Sequence, residues 1–340
     1  MLRFPQAVAT LDESLLPTRD DVGVSLGTAA VLGLRRLRQD DAPTTAYILL
    51  GKRCTRDCAF CTRARHSTAR AALLSRVAWP CYPGHVVQEA VQRGFEQGDI
   101  VRCCIQVTVF PGYVERTVDL VSALHHVSAV PICTSIFLTT IQDVVRALSA
   151  GAQRVTLALD AATQALYGEA KSSGWDAQVA LLLDSARRFP GRIGTHLIVG
   201  LGETEREMIL CLQHLVDCGV TVGLFAFTPI RGTRWEGRPA PELSHYRRIQ
   251  ATYYLMKRGL RRVEELTFSA DGRLRSLGVG RDELEAMLSD GCAFETSGCA
   301  GCNRPCYNEH PGQTAYNYPR ALSLVECTDA VALLNDELTW

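Results

Sequence analysis

Six short runs rich in β-branched and other apolar residues recur through the chain: TAYILLG (45–51), DIVRCCIQVTVF (99–110), AVPICTSIFL (129–138), QRVTLALD (153–160), RIGTHLIVG (192–200) and VTVGLFAFTP (220–229). Strands this apolar need cover on both faces, and helix-like patterns stand between them. Val114, Val118, Val121 and Leu124 recur at helical spacing in 113–127, as do Met208, Ile209, Leu212, Leu215 and Val216 in 203–217. The alternation predicts an α/β fold of parallel βα units. From about residue 230 the stretch PIRGTRWEGRPAPELS, rich in Gly, Pro and Arg, breaks the rhythm. A helix is expected over 242–258, a strand near 262–269, and a cysteine-rich irregular tail after Gly291.

A chain of 340 residues, 47% of them hydrophobic, can bury a large core. Lys and Arg balance Asp and Glu at 36 each, so no net field draws the chain to nucleic acid or anionic lipid. The opening MLRFPQAVATLDESLL lacks the apolar core of a secretory signal, and no stretch reaches the roughly 18 apolar residues of a membrane span. A cytoplasmic protein with neither nucleic acid nor membrane as partner is expected.

Fourteen cysteines without an export signal should be reduced thiols, and clustered ones point to metal ligation. Cys54, Cys58 and Cys61 form one group; Cys292, Cys299, Cys302 and Cys306 form another. Cys103, Cys104 and Cys133 lie in or beside apolar runs and Cys211 and Cys218 in a helical pattern, where each reads as a small buried hydrophobe. The triplet RCTRDCAFC (53–61) begins just beyond the first strand, and parallel barrels gather their ligands at the C-terminal ends of strands. Three thiolates on a tight loop suit three corners of an iron–sulfur cubane and leave one iron open, whereas zinc more typically takes four ligands.

Cys54, Cys58, Phe60 and Cys61 resemble the Cys-x3-Cys-x-aromatic-Cys signature of the radical S-adenosylmethionine (SAM) superfamily. The resemblance implies a partial (βα)6 TIM-type barrel over 45–270, with 1–44 as an N-terminal extension and 271–340 as a C-terminal auxiliary-cluster region. It implies a [4Fe-4S] cluster on the three cysteines, whose open iron chelates SAM and whose electron cleaves it to a 5′-deoxyadenosyl radical. The stretch THLIVGLGETE resembles the fifth-strand segment near the adenine, which makes Ile198, Gly200 and Gly202 cofactor-binding candidates; an ordinary strand-to-helix turn would look the same. Asp160 resembles a ribose contact and equally a helix cap. The family's Gly-Gly-Glu is missing, and Pro111 and Gly112 of TVFPGY stand where it would contact the SAM amine.

The tail spacing Cys292-x6-Cys299-x2-Cys302-x3-Cys306 suits either a second iron–sulfur cluster or a zinc knob. GCNRPCYNEHPGQTAYNYPRAL, LLSRVAWP (73–80) and AFTPIRGTRWEG (226–237) resemble biotin-synthase-related members, most of all subunits of two-component lipoyl synthases. That resemblance implies a second, auxiliary [4Fe-4S] cluster whose sulfur is inserted into an octanoyl chain. Cys299, Cys302 and Cys306 are then the catalytic candidates and Cys292 a further ligand. An octanoylated lipoyl carrier domain, a sister radical SAM subunit and an electron donor such as ferredoxin or flavodoxin are the implied partners. A relay cluster in a peptide-modifying oxidase, or a non-catalytic metal-binding scaffold, would show the same cysteines. Residues 51–80 carry seven Lys or Arg against one acid, Asp57, which suits docking an acidic carrier, contact with the SAM carboxylate or a solvated face. Tyr246, Arg247, Arg248 and Gln250 are expected to face the cavity, and Tyr316, Tyr318 and Arg320 to close its mouth.

Overall fold

The computed structural model describes residues 20–309, 313–335 and 338–339. Its strands are β1 (Asp21–Val24), β2 (Thr45–Leu50), β3 (Leu73–Leu74), β4 (Val77–Ala78), β5 (Cys81–Pro83), β6 (Arg102–Val107), β7 (Ile132–Ser135), β8 (Ala152–Thr156), β9 (Ile193–Val199), β10 (Thr221–Ala226), β11 (Thr267–Phe268) and β12 (Leu274–Ser276). One sheet runs β10-β9-β8-β7-β6-β2-β1-β5. From β2 to β10 every neighbouring pair is parallel, and β1 lies antiparallel between β2 and β5. The six parallel strands fall on the six apolar runs. These are the parallel βα units the alternation predicts, arranged as the partial barrel the resemblance implies and open between β10 and the β5 edge.

Helices cover the outer face because their apolar stripes match it. In Glu205–Asp217, Met208, Ile209, Leu212 and Leu215 turn inward and are fully buried. The helix starts where it does because Thr204 and Glu207 cap each other: Glu207 N–H donates to Thr204 Oγ1 at 3.2 Å, and Thr204 N–H donates to Glu207 Oε2 at 2.8 Å. Among the described residues no helix is long and apolar enough to cross a membrane.

Two expectations for the later chain are corrected. Instead of a full strand, 262–269 forms a helical turn, Val263–Glu265, followed by the two-residue β11 paired with β12. Arg262 N–H donates to Glu265 Oε2 at 2.7 Å and the Arg262 guanidinium reaches Asp217, so local side-chain bonds win over strand pairing. The helix Leu243–Lys257 forms as expected, but Tyr246, Arg247, Arg248 and Gln250 lie within its buried contacts and do not line the cavity. Arg247 donates to the Ala315 and Tyr316 carbonyls, Gln250 donates to the Tyr316 carbonyl, and Arg248 pairs with Glu205 at 2.7 Å. Arg247 and Gln250 moor the tail to the barrel, and Arg248 ties this helix to Glu205–Asp217.

The tail then enters the open side of the sheet. Ser297 Oγ accepts from Leu224 N–H on edge strand β10 at 2.8 Å, and Asn308 donates to the Ala226 carbonyl at 2.7 Å. Opposite, Thr44 N–H donates to Asn303 Oδ1 at 3.0 Å, and Thr44 Oγ1 donates to the Gly301 carbonyl at 2.7 Å. Residues 297–308 therefore bridge β10 and the start of β2 and fill the barrel's lateral opening.

A candidate two-chamber active site

Strand alternation decides which side chains meet inside the barrel. Tyr47, Cys104, Gln106, Cys133, Ser135, Thr156, His196, Ile198 and Phe225 face its interior, whereas Cys103 of β6 points into the core under the helices. Two cavities result, one at each end of the strands.

The upper cavity, of about 190 Å³, lies at the C-terminal strand ends. Phe60 and Cys61 of the cysteine loop, Asp160, His196, Ile198 and Phe225 line it, with Tyr307 and Asn308 contributed by the tail. Gly51 begins the loop at φ +88°; a Cβ there would collide with Thr108 and the Phe110 ring, so only glycine makes this exit from β2. Arg53 stiffens the loop by donating to the Thr62, Ala64 and Ser67 carbonyls.

The cysteine loop fits an iron–sulfur cluster on its own chemistry. Cys54 Sγ accepts from Val109 N–H at 3.2 Å and Arg56 N–H at 3.4 Å, and Cys61 Sγ accepts from Arg63 N–H at 3.4 Å. Such donors stabilise thiolate sulfur and tune bound clusters. Burial first, then the neighbouring Cys58, pushes the Cys61 thiol up to about 12, and burial raises Cys58. Converting these thiols to thiolates therefore calls for a cationic group between them. Among the described residues no group of three or more His, Cys, Asp or Glu side chains is placed to hold a metal ion.

Asp160 adopts φ +69° and its carboxylate lies 2.6 Å from Lys171 Nζ, a buried ion pair in which the ammonium also donates to the Ala158 carbonyl. Ile198 lines the cavity, but Gly200 and Gly202 do not. Their N–H groups, with that of Leu201, donate to the Glu203 carboxylate at 2.6 to 3.1 Å, which folds the turn after β9. Burial pushes the Glu203 carboxyl up to about 7 despite those bonds. Pro111 and Gly112 are exposed at the start of the helix Tyr113–Val127 and do not line the cavity, because Gly112 at φ +77° turns the chain outward into that helix. Tyr316, Tyr318 and Arg320 do not close the mouth: Tyr316 donates to the Pro241 carbonyl, Tyr318 is buried, and Arg320 pairs with Glu326 at 2.8 Å.

The lower cavity brings together thiols from the tail group and from the strands. Cys104, Cys133, Cys299 and Cys302 line it together, with Arg154, Arg304 and Tyr47. Cys133 Sγ lies 3.4 Å from Cys299 Sγ, Arg102 Nη2 donates to Cys133 Sγ at 2.7 Å, and Tyr47 Oη lies 3.2 Å from Cys302 Sγ. The Cys133 thiol beside it, with Arg102 and Arg154, lowers Cys299 to about 5, and the same contact drives Cys133 upward. Cys133 is buried as a small core residue would be, and Cys104 packs on the Tyr47, Leu49 and Trp79 cluster, but both thiols also line the lumen. The missed signal was parity: Cys104 shares a strand face with Gln106, and Cys133 with Ser135.

Cys292 and Cys306 are both exposed and stand apart from this group. The turn Cys292–Phe294 buries Phe294 and leaves Cys292 beside Asp290 and Glu295. Positive φ at Arg304 and Cys306 reverses the chain around Pro305 and turns Cys306 toward Asp40, Asp41 and Glu309. Of the four tail cysteines, Cys299 and Cys302 line the lower cavity, together with Cys104 and Cys133 of the barrel.

No family model matches the chain. A biotin synthase from Pelotomaculum thermopropionicum is 26% identical over 215 residues, 61% of this chain and 64% of that protein. Among solved structures, methylornithine synthase superposes with a TM-score of 0.51 at 17% identity, covering 64% of this chain and 63% of that one. The [FeFe]-hydrogenase maturase HydG from Carboxydothermus hydrogenoformans gives 0.50 at 14% identity, covering 64% and 52%. The fold is shared with methylornithine synthase and HydG, and the sequence is similar to that of a biotin synthase. The chain spans about two thirds or less of each of these relatives.

Proposed function

We propose that the protein is a radical SAM enzyme that inserts sulfur into an unactivated C–H bond of a protein-bound octanoyl chain, with Cys104, Cys133, Cys299 and Cys302 holding the auxiliary cluster. One observation carries the reading: a four-thiol chamber lies directly beneath the cavity of the cysteine loop, and the two share the walls Gln106, His196 and Phe225. A substrate held in the upper cavity would adjoin sulfur held by these four residues below. The resemblance of the tail to two-component lipoyl synthases supplies the acyl substrate.

When bound, SAM with the Cys54, Cys58 and Cys61 cluster supplies a carbon-centred radical, and the auxiliary cluster supplies sulfur. The chain's own residues bind, orient and exclude water. Asp160, held by Lys171, offers its carboxylate to a ribose, while Ile198 and Phe60 offer apolar surface to an adenine. Tyr307, Phe225 and Phe227 wall the cavity with rings, which suits an aliphatic chain and keeps water from a reactive radical. Arg102 and Arg154 place positive charge beside Cys133 and Cys299, which favours thiolates there.

A basic rim supports an acidic carrier as partner. Lys52, Arg53, Arg65, His66 and Arg70 are exposed around the loop, and Arg231 and Arg234 adjoin them through the Thr68 N–H to Gly232 carbonyl bond. A sister subunit and an acidic electron donor complete the proposed assembly.

The test is isotopic. Enzyme carrying 34S only in the auxiliary cluster, supplied with reductant, SAM and an octanoyl-lysine peptide, should give a thiolated peptide containing 34S within a few turnovers. Unlabelled sulfur in the product, or 5′-deoxyadenosine with an oxidised peptide and no C–S bond, would favour an electron-relay cluster instead. Absence of any SAM cleavage would leave a metal-binding scaffold.

A further inference from the structure

The waist between the chambers is made by Gln106, His196 and Phe225, and its two sides differ in kind. The apolar side is fixed. Phe225 packs edge-on against His196 at 4.9 Å and Tyr307 at 5.2 Å, and the Arg304 guanidinium sits 4.1 Å from its ring centre. Arg304 in turn donates to the Leu224 and Ser297 carbonyls at 3.3 and 3.0 Å. The polar side is open: among the described residues neither the Gln106 carboxamide nor the His196 imidazole forms a hydrogen bond, and both face the cavities they line.

Both side chains are half-buried with their polar atoms open to the cavities, so a ligand atom at this narrow place can lie between them. Gln106 carries two N–H donors and a neutral imidazole carries one. The chain proposed for the upper cavity is aliphatic and offers no acceptor. The group proposed for the lower chamber offers sulfide, an acceptor for N–H donors.

We infer that Gln106 and His196 are positioning residues that donate hydrogen bonds to the face of the auxiliary cluster turned toward the upper cavity, and so fix and tune the sulfur presented to the substrate. This rests on the auxiliary-cluster reading of the four thiols. Removing an N–H donor from cluster sulfur destabilises the reduced form, so the midpoint potential should become more negative.

The full chain carrying Cys54→Ala, Cys58→Ala and Cys61→Ala isolates the second cluster for spectroelectrochemistry and electron paramagnetic resonance. In that background His196→Leu and Gln106→Leu should each shift the potential negatively, and His196→Gln, which keeps a donor, should recover most of the shift. With the N-terminal cluster intact, His196→Leu should lower thiolated product per 5′-deoxyadenosine by about tenfold, the scale of lost outer-shell contacts at metal sites. An unchanged potential and spectrum with a loaded second cluster would overturn the inference alone. A rise in KM with unchanged potential would also overturn it, because the pair would then be binding substrate. If the background loads no iron at all, the auxiliary-cluster reading falls and the inference falls with it.

Discussion

The sulfur of Cys133 on β7 lies 3.4 Å from that of Cys299 in the tail, joining residues 166 apart in sequence. Barrel and tail therefore share one thiol site. Anaerobic reconstitution should give about eight irons per chain, four on each thiol group. Cys104→Ala and Cys133→Ala should fall toward about four, whereas Cys292→Ala and Cys306→Ala should stay near the full count. Iron and sulfide analysis with Mössbauer spectra checks this, and the reverse pattern would return the site to the tail alone.

The same proximity predicts an oxidised form of the cluster-free protein. Two thiols in contact lose two electrons and two protons to an added oxidant such as diamide and form a disulfide. Peptide mapping should recover Cys133 linked to Cys299 before any other pair, and the linked protein should take up only the N-terminal cluster until a dithiol reductant is added. A first-formed disulfide elsewhere would contradict the arrangement.

The six strands were legible because each is a compact apolar run set off by helical patterns, and the helix Leu243–Lys257 because it follows the Gly- and Pro-rich break. The β11 region was not. Its two-residue strand follows a turn fixed by the side chains of Arg262 and Glu265, and such local bonds leave little trace in hydrophobic pattern. The Cys54, Cys58 and Cys61 loop was visible because its ligands are neighbours in sequence. The lower site was half hidden for the opposite reason: Cys104 and Cys133 sit in strands apolar on both faces, where a lumen-facing thiol and a core thiol have the same neighbours. Only the parity of Cys103 against Cys104 separates them, and that means something only once the tail's place in the barrel is known.

Asp160 and Lys171 form a buried pair, with side chains 13% and 4% exposed, so removing one partner should cost more than removing the pair. Lys171→Met is expected to destabilise the fold by about 3–5 kcal/mol, the range for an uncompensated buried charge. Adding Asp160→Asn should restore much of that, because Asn tolerates the left-handed backbone at φ +69° and carries no charge. Denaturant unfolding of the two single variants and the double variant measures the coupling. SAM cleavage should stay impaired in the double variant if the Asp160 carboxylate contacts the ribose.

Glu203 gives a pH dependence whose sign follows from its burial. Its carboxyl rises from an ordinary 4.5 to about 7 in the folded chain, chiefly by desolvation. Above 4.5 the unfolded chain has released that proton while the folded chain keeps it, so the folded state binds more protons. Stability from this group is full below 4.5 and is lost as the pH rises through about 7. The difference is on the order of 3 kcal/mol at its largest. Glu203→Gln has no titrating carboxyl, so its unfolding free energy should lack this falling component between pH 6 and pH 8, an interval chosen around the shifted value of about 7. Parallel slopes for the two proteins would show that the three N–H donors of Gly200, Leu201 and Gly202 keep Glu203 ionised throughout.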